Sequence, residues 1–145
     1  MTSALKSNRA IVSATAVATA QFFDVDPMSV VWHGNYPKFL ELGRVAVLDV
    51  VDYGYTAMSA SGYAWPIVDM GIKYIQPIRL LQTVEIEAGI VEWENRLKIA
   101  FEIRDKATHK RLTRAYSVQV AVDMASQEMQ WETPPILREK LGRWL

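Results

Sequence analysis

From Pro37 to Gly54 the chain reads as one helix with too little polar surface to lie in water. At about 100° per residue, Lys38, Glu41, Arg44, Asp49 and Asp52 fall within an arc of roughly 140°. Phe39, Leu40, Leu42, Val45, Ala46, Val47, Leu48, Val50 and Val51 fill the rest. An apolar arc this wide has to be largely enclosed by other elements. Pro37 suits a first helical turn, Asn35 offers a capping oxygen, and Gly54 stands where a left-handed residue would close the helix.

What can enclose it is written on either side. Downstream, Val68, Met70, Ile72 and Tyr74 share one face of a strand that Gln76-Pro77 ends. Three further stretches alternate in the same way: Val84, Ile86, Ala88 and Ile90; Leu97, Ile99, Phe101 and Ile103; Leu112, Tyr116, Val118, Val120 and Val122. The short links "ENR" and "KATHK" predict antiparallel hairpins. Upstream, Val12, Ala14, Ala16 and Ala18 alternate with Ser13, Thr15, Val17 and Thr19, and after Pro134-Pro135 the segment "ILREKLGRWL" is expected to be helical. One strand, a loop, a buried helix and about four more strands close only if the sheet curls around the helix. The expected fold is therefore a single α+β domain over residues 1–145, an antiparallel sheet of about five strands wrapped around one long central helix.

Composition narrows the function. Formal charge is zero and both signs are interspersed, which offers no basic face to nucleic acid and no polybasic tract to anionic lipid. Without cysteine there is no disulfide, thiolate nucleophile or cysteine-ligated zinc, and with His33 and His109 alone a histidine-rich metal site is not expected. No cofactor is implied. Lys6 and Arg9, ahead of a small-residue run ending in an Ala-x-Ala pattern, resemble the start of a secretory leader. The run lacks leucine and is broken by Ser13, Thr15 and Thr19, so a first strand and a cytoplasmic protein are expected instead.

The chemistry is concentrated in "FFDVDPMSVVWHGNYPKFLELGR", residues 22–44, where two aspartates, a proline and a histidine stand directly before the apolar helix. By residue type alone, Asp24 and Asp26 could simply shape a turn, as aspartates before a proline commonly do. The stretch "DVDPMSVVWHGNY" followed by "FLELGR", together with "IKYIQPI" and the hairpin-rich remainder, resembles the 4-hydroxybenzoyl-CoA thioesterase-like hotdog family, which includes acyl-CoA thioesterases. The resemblance implies that Asp26 is the catalytic carboxylate, as nucleophile or general base, with Asp24 supporting it. It also implies that the backbone N–H at His33 polarises the thioester carbonyl while the imidazole orients water or protonates the leaving thiolate. Met28-Ser29 departs from the family, which commonly has a small residue and glycine there.

Val31, Trp32 and Tyr36 are assigned to the acyl pocket. Arg96 is what remains here of a basic cluster that binds coenzyme A phosphates in the family, with Lys106, Lys110 and Arg111 as possible substitutes. Glu41, the position of a rival catalytic carboxylate, is expected to pair with Arg44 one turn away. The expected activity is hydrolysis of acyl-CoA or acyl-carrier-protein thioesters, by a homodimer or homotetramer with no nucleic acid or membrane partner. A hotdog dehydratase or hydratase and a non-catalytic acyl-thioester binder are the alternatives.

Overall fold

The structure, a computed structural model, describes residues 10–145. Lys6 and Arg9, the cationic part of the leader-like reading, lie outside the described residues. Strand β1 (Val12–Thr19) leads through a loop into the central helix α1 (Tyr36–Val50). A short helix α2 (Tyr55–Ala60) and a two-residue strand β2 (Tyr63–Ala64) follow. The main sheet is completed by β3 (Ile67–Tyr74), β4 (Thr83–Glu92), β5 (Leu97–Asp105) and β6 (Arg111–Gln119). Strand β7 (Val122–Asp123) and helix α3 (Pro135–Leu141) end the order of elements apart from a final 3-10 turn. No helix among the described residues is long and apolar enough to cross a membrane.

The five-stranded sheet runs β1-β4-β5-β6-β3 and is antiparallel throughout. Register explains the alternation. Ile86 faces Ile103, Ala88 faces Phe101 and Ile90 faces Ile99, so one face is a continuous apolar floor on which α1 lies. Leu40, Val47 and Leu48 of the helix are fully buried there. This is the hotdog fold: a curled antiparallel sheet around one long helix. The expected hairpins occur at Trp93–Arg96 and Lys106–His109–Lys110, and the C-terminal helix forms where "ILREKL" predicts it.

The helix differs from its wheel in three ways. Arg44, expected on the solvated arc beside Glu41, is 1% exposed. It is spaced by four and three residues from Leu40 and Val47, which puts it in the middle of the core-facing stripe. Its guanidinium is satisfied there, with Nη1 donating to Ser117 Oγ (2.8 Å) and Gln119 Oε1 (2.7 Å) and Nε donating to Glu41 (3.0 Å), 5.6 Å from the centre of the Phe101 ring. Conversely, Leu42, Val45 and Val50 are 41–47% exposed, because one sheet covers only one side of a helix.

The helix ends are also built otherwise. The left-handed residue is Asp52 (φ +56°), with Asp52 N–H on Asp49 and Tyr53 N–H on Leu48, a Schellman motif completed without glycine; Gly54 instead begins α2. At the other end Asn35 makes no capping bond.

Replacing Arg44 with alanine leaves the buried Ser117 and Gln119 without their donor and strips Glu41, still held by the Tyr55 hydroxyl, of its cation. A loss of about 3 kcal/mol is expected for breaking a buried charged cluster from one side, read from the midpoint of urea unfolding.

Candidate active site

The loop between β1 and α1 is held mostly by its own main chain. Asp24, 6% exposed, accepts from Gln21 N–H through Oδ2 (2.8 Å) and lies 3.6 Å from Lys38 Nζ through Oδ1. Its backbone carbonyl accepts from Trp32 N–H (3.0 Å) and from the side-chain amide of Asn35 (2.9 Å), fastening the loop to the start of α1. A Val25–Val31 bridge closes the loop, and Val31 N–H donates to Ile78 (2.7 Å) while Leu80 N–H donates to Ser29 (3.0 Å). Asn35 thus serves as a tie, where the sequence suggests a cap.

Asp26 sits at the neck of the tight turn that this bridge closes. Its N–H donates to Val30 (2.9 Å), its carbonyl accepts from Ser29 (2.9 Å), and its Oδ1 accepts from Met28 N–H (2.8 Å), the turn that aspartate forms with its own downstream backbone. Oδ2 has no hydrogen-bond partner among the described residues, and the side chain is only partly buried. Ser29 adopts φ +62°. A left-handed residue is needed at that point, which is why glycine suits it; serine reaches the same backbone path with a steric cost.

At the start of α1, a 3-10 turn over His33–Asn35 leaves the N–H groups of His33 and Gly34 without an acceptor among the described residues. Trp32 folds its ring over Gly34 so closely that a Cβ at that position would collide with Trp32 Cζ3. The Trp32 and His33 rings are 4.9 Å apart, both exposed, whereas Val31 (4%) and Tyr36 (2%) are built into the core. Burial pushes the Tyr36 hydroxyl above its ordinary pKa, partly offset by the N–H of Ile78 that it accepts.

Tyr74, which the sequence shows only as the end of an alternating face, packs edge-on against Tyr36 (4.6 Å) and donates its hydroxyl to the His33 carbonyl (3.1 Å). The edge strand β3 therefore touches the loop directly.

Asp26, Val31, Trp32, His33 and Tyr36 are thus gathered on one loop and helix start. Arg96 is not among them: it lies in the β4–β5 hairpin, paired with Glu92 at 2.9 Å. Arg111 lies 3.8 Å from Glu102, and Lys106 and Lys110 stand exposed in the β5–β6 turn. Glu41 is claimed by Arg44 and by the hydroxyl of Tyr55, which donates at 2.8 Å to one oxygen and 2.9 Å to the other. Burial, and then that bond, hold the Tyr55 hydroxyl protonated well above the usual tyrosine range. Such a carboxylate is a structural anchor for α2. No cluster of side chains suited to hold a metal ion occurs among the described residues.

A carboxylate with an open oxygen and two unclaimed backbone donors at a helix start are the parts required to attack a carbonyl and stabilise the resulting oxyanion. Fold and family together make this a hotdog enzyme of the acyl-thioester class. The chain belongs to the thioesterase-like superfamily, whose family model matches residues 20–145. It is 29% identical over 119 residues, 77% of this chain and 68% of the other, to a candidate esterase of Synechocystis sp.. It is 29% identical over 73 residues to a candidate acyl-CoA thioesterase of Bacillus subtilis, a match spanning 50% of this chain and 53% of that protein. The crystal structure of a Synechocystis 1,4-dihydroxy-2-naphthoyl-CoA thioesterase superposes with a TM-score of 0.79 at 16% identity, covering 90% of this chain and 96% of the other.

Ser29→Gly removes the left-handed strain without touching any side chain of the site. It is expected to raise stability by about 1 kcal/mol, seen as a higher thermal midpoint, while leaving activity unchanged.

Proposed function

We propose that the protein hydrolyses an acyl thioester, carried on coenzyme A or an acyl-carrier protein, to a free acid and a thiol. The observation that carries this reading is the presence on one braced loop of the Asp26 carboxylate, with Oδ2 open, and the unclaimed amides of His33 and Gly34. The amides receive the carbonyl oxygen as it gains charge. Asp26 then either attacks the carbonyl carbon, giving an anhydride that water opens, or takes a proton from the attacking water.

The His33 imidazole, exposed beside Trp32, orients that water or protonates the departing thiolate. Val31 and Tyr36 supply fixed walls from the core, and Trp32, half exposed, is the part of the acyl pocket free to set chain preference. Arg96 would engage phosphate in competition with Glu92. The names of the relatives favour a coenzyme A ester, and the expected compartment is the cytoplasm.

Two features favour assembly. Strand β3 is a free sheet edge that presents Ile67, Val68 and Tyr74 at 43–58% exposure, and unprotected edges pair. Tyr74 of that strand also braces His33, so pairing there would complete the surroundings of the site. The protein is proposed to be a homodimer joined through β3, with pairing of dimers into a tetramer as the next step. Light scattering at micromolar concentration should give at least twice the chain mass; a fully active monomer refutes this.

Asp26→Asn keeps the turn but removes the charge, and should lower thioester hydrolysis by at least about a hundredfold with the fold intact by circular dichroism. Asp24→Asn and Glu41→Gln should lose less, and His33→Ala should fall between, since its backbone donor remains. Near-full turnover by Asp26→Asn with a dead Glu41→Gln would move the catalytic carboxylate to the helix. Thioester binding without thiol release by the unaltered protein would make it a binder, and water addition to an enoyl thioester would make it a hydratase.

A further inference from the structure

The face of the sheet turned away from α1 is electrostatically divided. Toward one end Arg104 meets Glu87 (2.9 Å), Glu102 (3.7 Å) and Glu85 (3.7 Å), and Arg111 meets Glu102 (3.8 Å). Toward the other lies a depression of about 670 Å³ lined by Lys73, Lys98, Arg114, Tyr116, Gly71 and Ala100, among others. None of its three cations forms an ion pair among the described residues. Lys73 stands directly opposite Arg114 in the β3–β6 register, a like-charge pair that costs stability unless something anionic is shared between them. The carboxylate opposite Arg114 on its other side, Glu102, already serves Arg104 and Arg111. Glu92, at the rim, is held by Arg96.

The floor is shaped to be shallow and wide. Gly71 and Ala100 flank Tyr116 in register, and a Cβ at Gly71 would collide with Tyr116 Cε1, so the ring lies down across the strand. Lys98 sits 5.1 Å from the centre of that ring, which draws its ammonium toward the floor of the depression. The volume falls within the range of small-molecule sites.

We propose that this depression is an anion site for a ligand carrying vicinal phosphates, a diphosphate or nucleotide phosphate group, with Lys73, Lys98 and Arg114 as its donors. Arginine and lysine together match such a group, one by its planar fork and the others as point charges. The phosphates could belong to a free nucleotide or to the handle of the thioester substrate itself. The second source rests on the proposed activity; the site does not. Its three donors stand on β3, β5 and β6, and its rim reaches Val91 and Glu92 of β4, where Glu92 is already paired with Arg96.

The test is calorimetric titration of pyrophosphate and of adenosine 3′,5′-bisphosphate into the protein and into the Lys98→Gln/Arg114→Gln double variant, each shown by circular dichroism and light scattering to keep its fold and assembly. Binding of either anion to the unaltered protein, weakened about tenfold or more in the variant, supports the site. No binding, or equal binding by both proteins, overturns it. A parallel assay compares an acyl-CoA with the same acyl group on phosphate-free N-acetylcysteamine. A rise in KM confined to the acyl-CoA identifies the substrate's own phosphates as the ligand, whereas unchanged KM for both alongside lost calorimetric binding identifies a free anion. If neither thioester is turned over, hydrolysis fails but the calorimetric result still decides the site.

Discussion

One carbonyl oxygen, that of Asp24, accepts from two groups at the start of the central helix, Trp32 N–H and the Asn35 side chain. The position of the whole loop relative to the helix follows from those two bonds. They bring the aspartate segment back against the first turn, so that Asp26 and the open amides of His33 and Gly34 belong to one structure and not to two elements that merely follow each other. Asp24 needs its own carboxylate for this too, because the bond to Gln21 N–H and the nearby Lys38 ammonium fix the residue from the other side. Its burial at 6% reflects an architectural use of charge close to a proposed catalytic one.

Period-two alternation made β4 and β5 legible, since Val84, Ile86, Ala88 and Ile90 and then Leu97, Ile99, Phe101 and Ile103 do share the core side. In β6 it points to the wrong face, because Ser117 and Gln119 reach Arg44 while Tyr116, expected on the buried side with Val118, lines the depression on the face turned from α1. Met70, Ile72 and Tyr74 share the face that meets Ser117, Ala115 and Thr113, as the alternation requires, and β1 buries Val12 while exposing Ser13, Thr15 and Val17. What escaped were the small elements. Helix α2 and the β2–β7 pair are too short for periodicity to register, and they are fixed by tertiary partners such as the Tyr55–Glu41 bond. Arg44 was misread for a different reason. A charged residue is assigned to the solvated arc by default, and only the buried polar partners Ser117 and Gln119, seventy-odd positions away in sequence, show why it is tolerated inside.

For the site, sequence locates the loop and its residue types but not the bracing. Nothing about Tyr74 as a residue distinguishes it from its alternating neighbours Met70 and Ile72; its role arises because β3 ends beside the helix start, which is a property of topology. The departure at Met28-Ser29 likewise has a meaning only in three dimensions. Ser29 takes the left-handed backbone that glycine would adopt freely, so the substitution changes local strain and not the path of the chain.

Most bonds that define that path run between backbone groups: Val25 with Val31, Val30 with Arg79, Val31 with Ile78, Ser29 with Leu80. Outward-facing side chains such as Met28, at 76% exposure, are spectators to them. A loop built in this way separates inheritance of shape from inheritance of specificity. Positions around Asp26 can drift in sequence, or be diversified in a library, while the carboxylate keeps its place, so that new acyl preferences can be explored without first having to reinvent the scaffold.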